Sequence, residues 1–199
     1  TNNAVTGLVF TPVANVNGPV SFTFSVQDNG GVANSGVNWS VSAATMTLNI
    51  AAVNDAPVLT LTAPALAAVA EDAATPVGAV GTLVSALVSG VSDLDAGALK
   101  GIAITAANTS HGGFYYSLNN GATWTAFPVV SAAASLLLAA DNNTRVFFKP
   151  APDFNGSISD ALTVRAWDQS AGTAGSTAST TVNGATTAFS VAADALSLN

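Results

Sequence analysis

Three stretches of this chain occur twice, in the same order. Phe10-Thr11-Pro12 followed by Asn17-Gly18 returns as Phe148-Lys149-Pro150 followed by Asn155-Gly156. SFTFSVQD (21–28) returns as DALTVRAWD (160–168), so that Asp28 matches Asp168. WSVSAATMTLN (39–49) returns as FSVAADALSLN (189–199) without a gap. The offset grows from 138 residues (10 to 148) to 140 (28 to 168) and 150 (49 to 199), so the second copy carries extra loop residues. The Gly/Ser/Thr-rich stretch 170–187 is the evident place for them. A repeat of this length means that whatever closes the chain must also stand, in part, at its start. The expected organisation is therefore the C-terminal part of one repeat in 1–52, a linker in 53–57 and one full repeat in 58–199.

The repeated unit reads as β throughout. VSFTFSV alternates strictly, with Val20, Phe22, Phe24 and Val26 on one face, and LTVRAW does the same with Leu162, Val164 and Ala166. FYYSL and TWTAF flank Asn119-Asn120-Gly121 and read as a hairpin. RVFF, TMTLNI and GLVFTP read as further strands. Ser131–Ala140 has the Ala and Leu content of a short helix, but a buried strand ending at Asp141 is the reading preferred here. Short strands separated by turn signals predict an all-β sandwich. In 1–49 only its closing strands are present, so their apolar face is expected to be completed by a neighbouring copy or by further chain.

Composition narrows the function. Charged residues are 8% of the chain, and four Lys/Arg stand against eleven Asp/Glu. That balance argues against nucleic acid, whose phosphates need a basic surface, and against an anionic membrane. With no cysteine there are no disulfides and no thiolate metal sites. TNNAVTGLVF has neither the basic end nor the apolar core of a signal peptide. The longest nearly apolar run, Val129–Ala140, is too short to span a bilayer.

The few acids fall in telling places. Asp93 and Asp95 sit in SDLDAG, one residue apart, which in extended backbone points both side chains the same way. Gly97 then allows a sharp turn. Asp168 ends the strand LTVRAWD, and Asn54-Asp55 lie on the connection into the full repeat. Carboxylates gathered in one place repel one another unless a cation joins them, and calcium takes six to eight oxygen ligands. Each feature also has a plainer reading: a DxD as a solvated turn, the strand-end Asp as a turn cap, and NDAP as a linker stiffened by Pro57.

Taken in order, VNDAP (53–57), VAEDAATPVG (69–78), SDLDAG (92–97) and VRAWD (164–168) resemble the motif order of cadherins. The similarity is closer to the cadherin-like, immunoglobulin-like tandem repeats of giant bacterial surface adhesins with VNDAP joints. It covers 50–199 and the tail of a preceding copy in 1–49. The resemblance implies one calcium cluster at the entry of the full repeat. Asn54 and Asp55 would be its linker ligands, Asp93 and Asp95 its DxD ligands, and Asp168 its strand-end ligand. Glu71 would bind calcium at the opposite end, with Asp141 as an uncertain companion there because the family's acidic motif is not recognisable at that place. Asp28 matches Asp168, but its DxD partners would lie before residue 1, so that site is expected to be incomplete. The implied role is a calcium-rigidified extracellular module for structure or cell adhesion. Its partners would be adjacent repeats, neighbouring copies in a filament or surface layer, or surface glycans and other cells.

Two other features of the sequence bear on function. Ser117-Leu-Asn119-Asn-Gly121-Ala-Thr123-Trp124 resembles the Asp-box with Asn119 in place of the Asp, and a single copy reads as hairpin support. Tyr115, Tyr116, Trp124 and Trp167 would make a carbohydrate-binding surface if exposed, and core packing otherwise. His111 is the only histidine, no nucleophile elbow is present, and the expectation is a protein that is not an enzyme.

Overall fold

The computed structural model describes residues 7–199. The chain divides into two compact units, the first ending at Val53 and the second running from Asn54 to Asn199. Among the described residues the secondary structure is nearly all β, and no helix is long and apolar enough to cross a membrane.

Among the described residues of unit 1 two strands form, β1 (Gly18–Phe24) and β2 (Ala44–Ile50). They pair antiparallel, with Val20 opposite Leu48 and Phe22 opposite Met46. A single 3-10 turn, Ala33–Ser35, lies between them. Among the described residues of this unit none is buried. GLVFTP, expected as a strand, is exposed and irregular, whereas TMTLNI lies wholly within β2.

Unit 2 holds twelve further strands. They are β3 (Val58–Leu59), β4 (Ala65–Leu66), β5 (Thr82–Leu83), β6 (Val91–Ser92), β7 (Gly101–Ala107), β8 (Gly112–Ser117), β9 (Thr125–Ala126), β10 (Ser135–Ala139), β11 (Arg145–Pro150), β12 (Ile158–Trp167), β13 (Thr177–Ala178) and β14 (Phe189–Leu198). One sheet has the order β13-β10-β7-β12-β14-β4, a second β5-β11-β8-β9, and β3 pairs with β6. All the pairings are antiparallel except β14 with β4. The main apolar cluster takes Ile102, Ile104, Leu136, Leu138, Leu162, Val164 and Leu196 from the first sheet and Phe114, Val146 and Phe148 from the second. SLLLA is the buried strand β10, not a helix: Leu136 and Leu138 enter that cluster while Leu137, one residue out of phase, turns to the opposite face.

That opposite face carries a smaller cluster of Ala103, Leu137, Ala139, Trp167, Ala188 and Phe189. The extra loop of the second copy lies over it. Trp167 Nε1 donates to Ala171 O at 2.7 Å, and Ala174 and Ala178 pack on the cluster. The inserted residues thus cover a face that would otherwise be apolar and wet. Trp167 is 1% exposed, which corrects its candidacy as a surface aromatic. Tyr115, Tyr116 and Trp124 are half-buried.

From Phe22 to Asp28 the two copies match bond for bond, whereas before Phe22 the register differs: Gly18 lies opposite Ile50, but its counterpart Ile158 lies opposite Leu198. Phe22 opposite Met46 corresponds to Leu162 opposite Leu196, and the Gln27–Trp39 bridge to Trp167 opposite Phe189. Asp28 N donates to Asn38 O as Asp168 N donates to Ala188 O. Ser40 Oγ accepts from Val26 N as Ser190 Oγ accepts from Ala166 N. Asp28 Oδ1 accepts from Gly30 N as Asp168 Oδ1 accepts from Ser170 N. The same comparison explains why GLVFTP forms no strand. Its counterpart, Phe148-Lys149-Pro150, belongs to β11, which is held between β5 and β8. Unit 1 has no equivalent of either neighbour among its described residues, so the segment has no ladder to join.

Candidate functional site

The β3–β6 pairing builds one end of unit 2. Val58 lies opposite Ser92 and Leu59 opposite Val91. Continuing that register outward carries Asp55 to Asp95, and Asp55 N donates to Asp95 Oδ2 at 2.8 Å. Within the DxD, Asp95 N donates to Asp93 Oδ1 at 2.9 Å, which folds the loop back on itself. Gly97 follows with φ +79°, the left-handed conformation that glycine adopts without strain.

Asp168 reaches the same end by a different route. Its strand, β12, lies between β7 and β14, with Trp167 opposite both Gly101 and Phe189. The end of β12 therefore sits beside the start of β7, just past the DxD loop. Asn54 closes the assembly. Its Nδ2 donates to Asp168 Oδ2 at 2.8 Å, to Thr187 O at 3.2 Å and to Asp55 O at 3.2 Å. Ala56 N donates to Ala185 O at 2.8 Å, tying the entering chain to the loop before β14.

Five of the six expected site residues, Asn54, Asp55, Asp93, Asp95 and Asp168, thus belong to one hydrogen-bonded group drawn from three separate segments. Asp168 is buried and the other four are half-buried. Lys100, the nearby cation, gives its ammonium to Val91 O at 2.6 Å. The carboxylate oxygens are met by neutral donors instead: Asp168 Oδ2 by the Asn54 amide, Asp168 Oδ1 by Ser170 N and Asp95 Oδ2 by Asp55 N. One buried oxygen of the group is left without a donor. Asp93 Oδ2 is buried and has no hydrogen-bond partner. A buried, unpartnered carboxylate oxygen costs free energy, and a cation would relieve it.

Among the described residues no group of three acidic or histidine side chains is close enough to hold a metal ion as it stands. In this arrangement the donors Asn54 Nδ2 and Asp55 N stand between the acidic side chains. Asn54 also carries a carboxamide oxygen, Oδ1, which a half-turn of the amide would exchange with Nδ2. Thr187 O is a further neutral oxygen of the same group. Sequence reasoning missed it because a backbone carbonyl leaves no residue signature.

Glu71 is elsewhere. It is exposed, and its Oε2 accepts from Asn155 Nδ2 at 3.3 Å beside a cavity of about 310 Å³ lined by Val69, Phe148, Phe154 and Leu198. Asp141 does not bond to it. Asp141 Oδ1 accepts from Asn143 N at 2.8 Å and Thr144 N at 2.6 Å, capping the turn into β11. Burial alone would raise the Asp141 pKa, but these donors together hold it below the ordinary 3.8. Asp28 has only its own loop, with Oδ1 accepting from Gly30 N at 2.9 Å.

The Asp-box-like segment is a turn support. Ser117 Oγ accepts from Gly121 N at 2.8 Å, Asn119 Oδ1 accepts from Thr123 N at 2.9 Å, and Trp124 Nε1 donates to Gly78 O at 3.2 Å. Comparison with known proteins adds no relative: no family model, no curated protein and no solved structure matches the chain.

Proposed function

We propose that this chain is a structural and adhesive module of a large secreted or cell-surface protein, built from tandem cadherin-like β-sandwich repeats and stiffened by calcium. The reading carries no catalytic step. The observation that supports it most is the grouping of Asn54, Asp55, Asp93, Asp95 and Asp168 at the entry of unit 2, with Asp93 Oδ2 buried and unpaired. Four carboxylates and a carboxamide are a hard-oxygen set suited to calcium and unsuited to softer metals. Calcium would supply the positive charge that these acids lack. The residues' own part is to hold the entering strand, the DxD loop and the end of β12 together. A core cluster that draws on both larger sheets supports the sandwich reading.

The test is thermal unfolding with chelator and with about 1 mM calcium, the range typical of extracellular modules. A calcium-dependent rise in Tm is expected, and it should disappear in the Asp93→Asn, Asp95→Asn double variant. Coincident melting curves in the unmutated protein would remove the calcium reading.

A second reading, a subunit completed by a neighbouring molecule, is favoured by the uncovered hairpin of unit 1. The carbohydrate-binding alternative loses one of its two tryptophans, because Trp167 is buried.

A further inference from the structure

We infer that the β1–β2 hairpin is an acceptor for one antiparallel strand of the β7 type, taken up along the free edge of β1. The argument rests on the repeat. From Phe22 onward β1 and β2 match β12 and β14 in register and in individual hydrogen bonds, so over that part the neighbours of β12 and β14 define what the hairpin accommodates. In unit 2 the second edge of β12 is taken by β7, whose sequence is GIAITAA and carries no charge. In unit 1 the corresponding edge of β1 has no partner among the described residues.

The side chains agree. Leu162, Val164 and Leu196 are fully or almost fully buried under their neighbours. Their counterparts are Phe22, which is half-buried, Phe24, which is 40% exposed, and Met46, which is 46% exposed. An open edge beside an apolar face is a ready template for β-augmentation, in which main-chain bonds give affinity and alternate side chains give selectivity. By correspondence with β12 and β7, Phe24 would face the position of Ile104 and Val26 that of Ile102. The occupant is therefore an extended, uncharged strand with branched apolar residues at alternate positions, the β7 equivalent of a repeat of this kind.

This deepens the tandem-repeat reading but is independent of calcium, because none of the grouped carboxylates lies in unit 1. The probe is a synthetic peptide of residues 100–108, KGIAITAAN, added to the full chain in the presence of chelator. Amide hydrogen exchange is followed over residues 20–26. At a peptide concentration about tenfold above its Kd, exchange there should slow by about tenfold, while unit 2 is unchanged. A peptide with Ile102→Lys and Ile104→Lys should give no protection. The chain variant Phe24→Asp should lose the effect while the melting of unit 2, an internal control for folding, stays the same. The inference is overturned by absence of protection, or by equal protection from the lysine-substituted peptide. Protection that appears without peptide and rises with protein concentration also overturns it, since a second copy of the hairpin would then be the occupant. A failed calcium titration leaves the inference standing, and a failed peptide titration leaves the calcium reading standing.

Discussion

Asn54 Nδ2 donates to Asp168 Oδ2 over 2.8 Å, joining residues 114 positions apart. This bond fastens the first residue of unit 2 to the end of β12, a central strand of its larger sheet. Asp168 is 5% exposed, so each partner would leave the other poorly solvated. Asn54→Ala and Asp168→Ala should each lower stability by about 1–3 kcal/mol, the cost of an orphaned buried polar group. The double variant should lose less than the sum by at least about 0.5 kcal/mol, because both changes break one shared bond. Urea titrations of the four proteins measure this. Strict additivity would mean that the two residues act separately.

Asp93 should respond with opposite signs in the two metal conditions. In chelator, Asp93→Asn keeps an oxygen for Asp95 N and replaces the unpaired Oδ2 with an uncharged amide. Stability should stay level or rise. In calcium the same change removes a charged ligand, and the variant should melt below the unmutated protein. Two melting curves per protein decide the point. A variant that is less stable in both conditions would show that Asp93 has a structural role unrelated to a cation.

The turn carboxylate gives a pH dependence. Hydrogen bonds from Asn143 and Thr144 hold the Asp141 pKa below its unfolded value of 3.8 despite partial burial. Between the depressed folded value and 3.8 the unfolded chain binds more protons, so stability rises with pH there. The contribution is complete above about pH 4 and is lost as the pH falls through the folded value. Asp141→Ala should remove this acid-side component and also the cap on the turn into β11. Denaturant midpoints between about pH 2 and pH 6 would reveal it as a shallower fall in the variant.

Much of this was legible in the residues. The repeat could be read because strand alternation and turn residues survive duplication, and the paired blocks prove to share register from Phe22–Met46 through Gln27–Trp39. Asp93 and Asp95 stood out because acids are rare in this chain and the two are spaced by one residue, and Asp168 because it ends the strand LTVRAWD. Three things were not legible. The two-residue strands β3, β4, β5, β6 and β13 are too short for any periodicity, although β3 and β6 are the ones that build the site. Asp194 sits mid-strand in β14, where an acid reads as solvent-facing. It is 8% exposed instead, with Oδ2 accepting from Thr62 N and Ala63 N, and it anchors the approach to β4. GLVFTP has the composition of its counterpart in β11 but not the neighbours, and a strand is a property of a sheet rather than of a segment.

Gly121 tests whether the Asn119–Trp124 turn supports the fold or only decorates it. Its φ is +86°, and Asn120 before it is also left-handed at +55°. A Cβ at Gly121 would stand 1.8 Å from Gly78 O and 2.7 Å from Ala79 N. Those atoms are backbone, so no side chain can swing away to make room. The same Gly78 carbonyl accepts the Trp124 indole, so displacing it would cost that bond as well. Gly121→Ala should therefore destabilise unit 2 by about 3 kcal/mol or more, combining backbone strain with a steric clash. That corresponds to a fall in Tm on the order of 10 °C. Gly113→Ala is the matched control. Gly113 lies in the neighbouring strand β8 without a positive φ, and a Cβ there meets nothing within 4 Å. Its substitution should change stability by no more than about 0.5 kcal/mol. Equal effects of the two changes, read by thermal melts side by side, would mean that the contact between the turn and Gly78 does not hold this edge of the sheet.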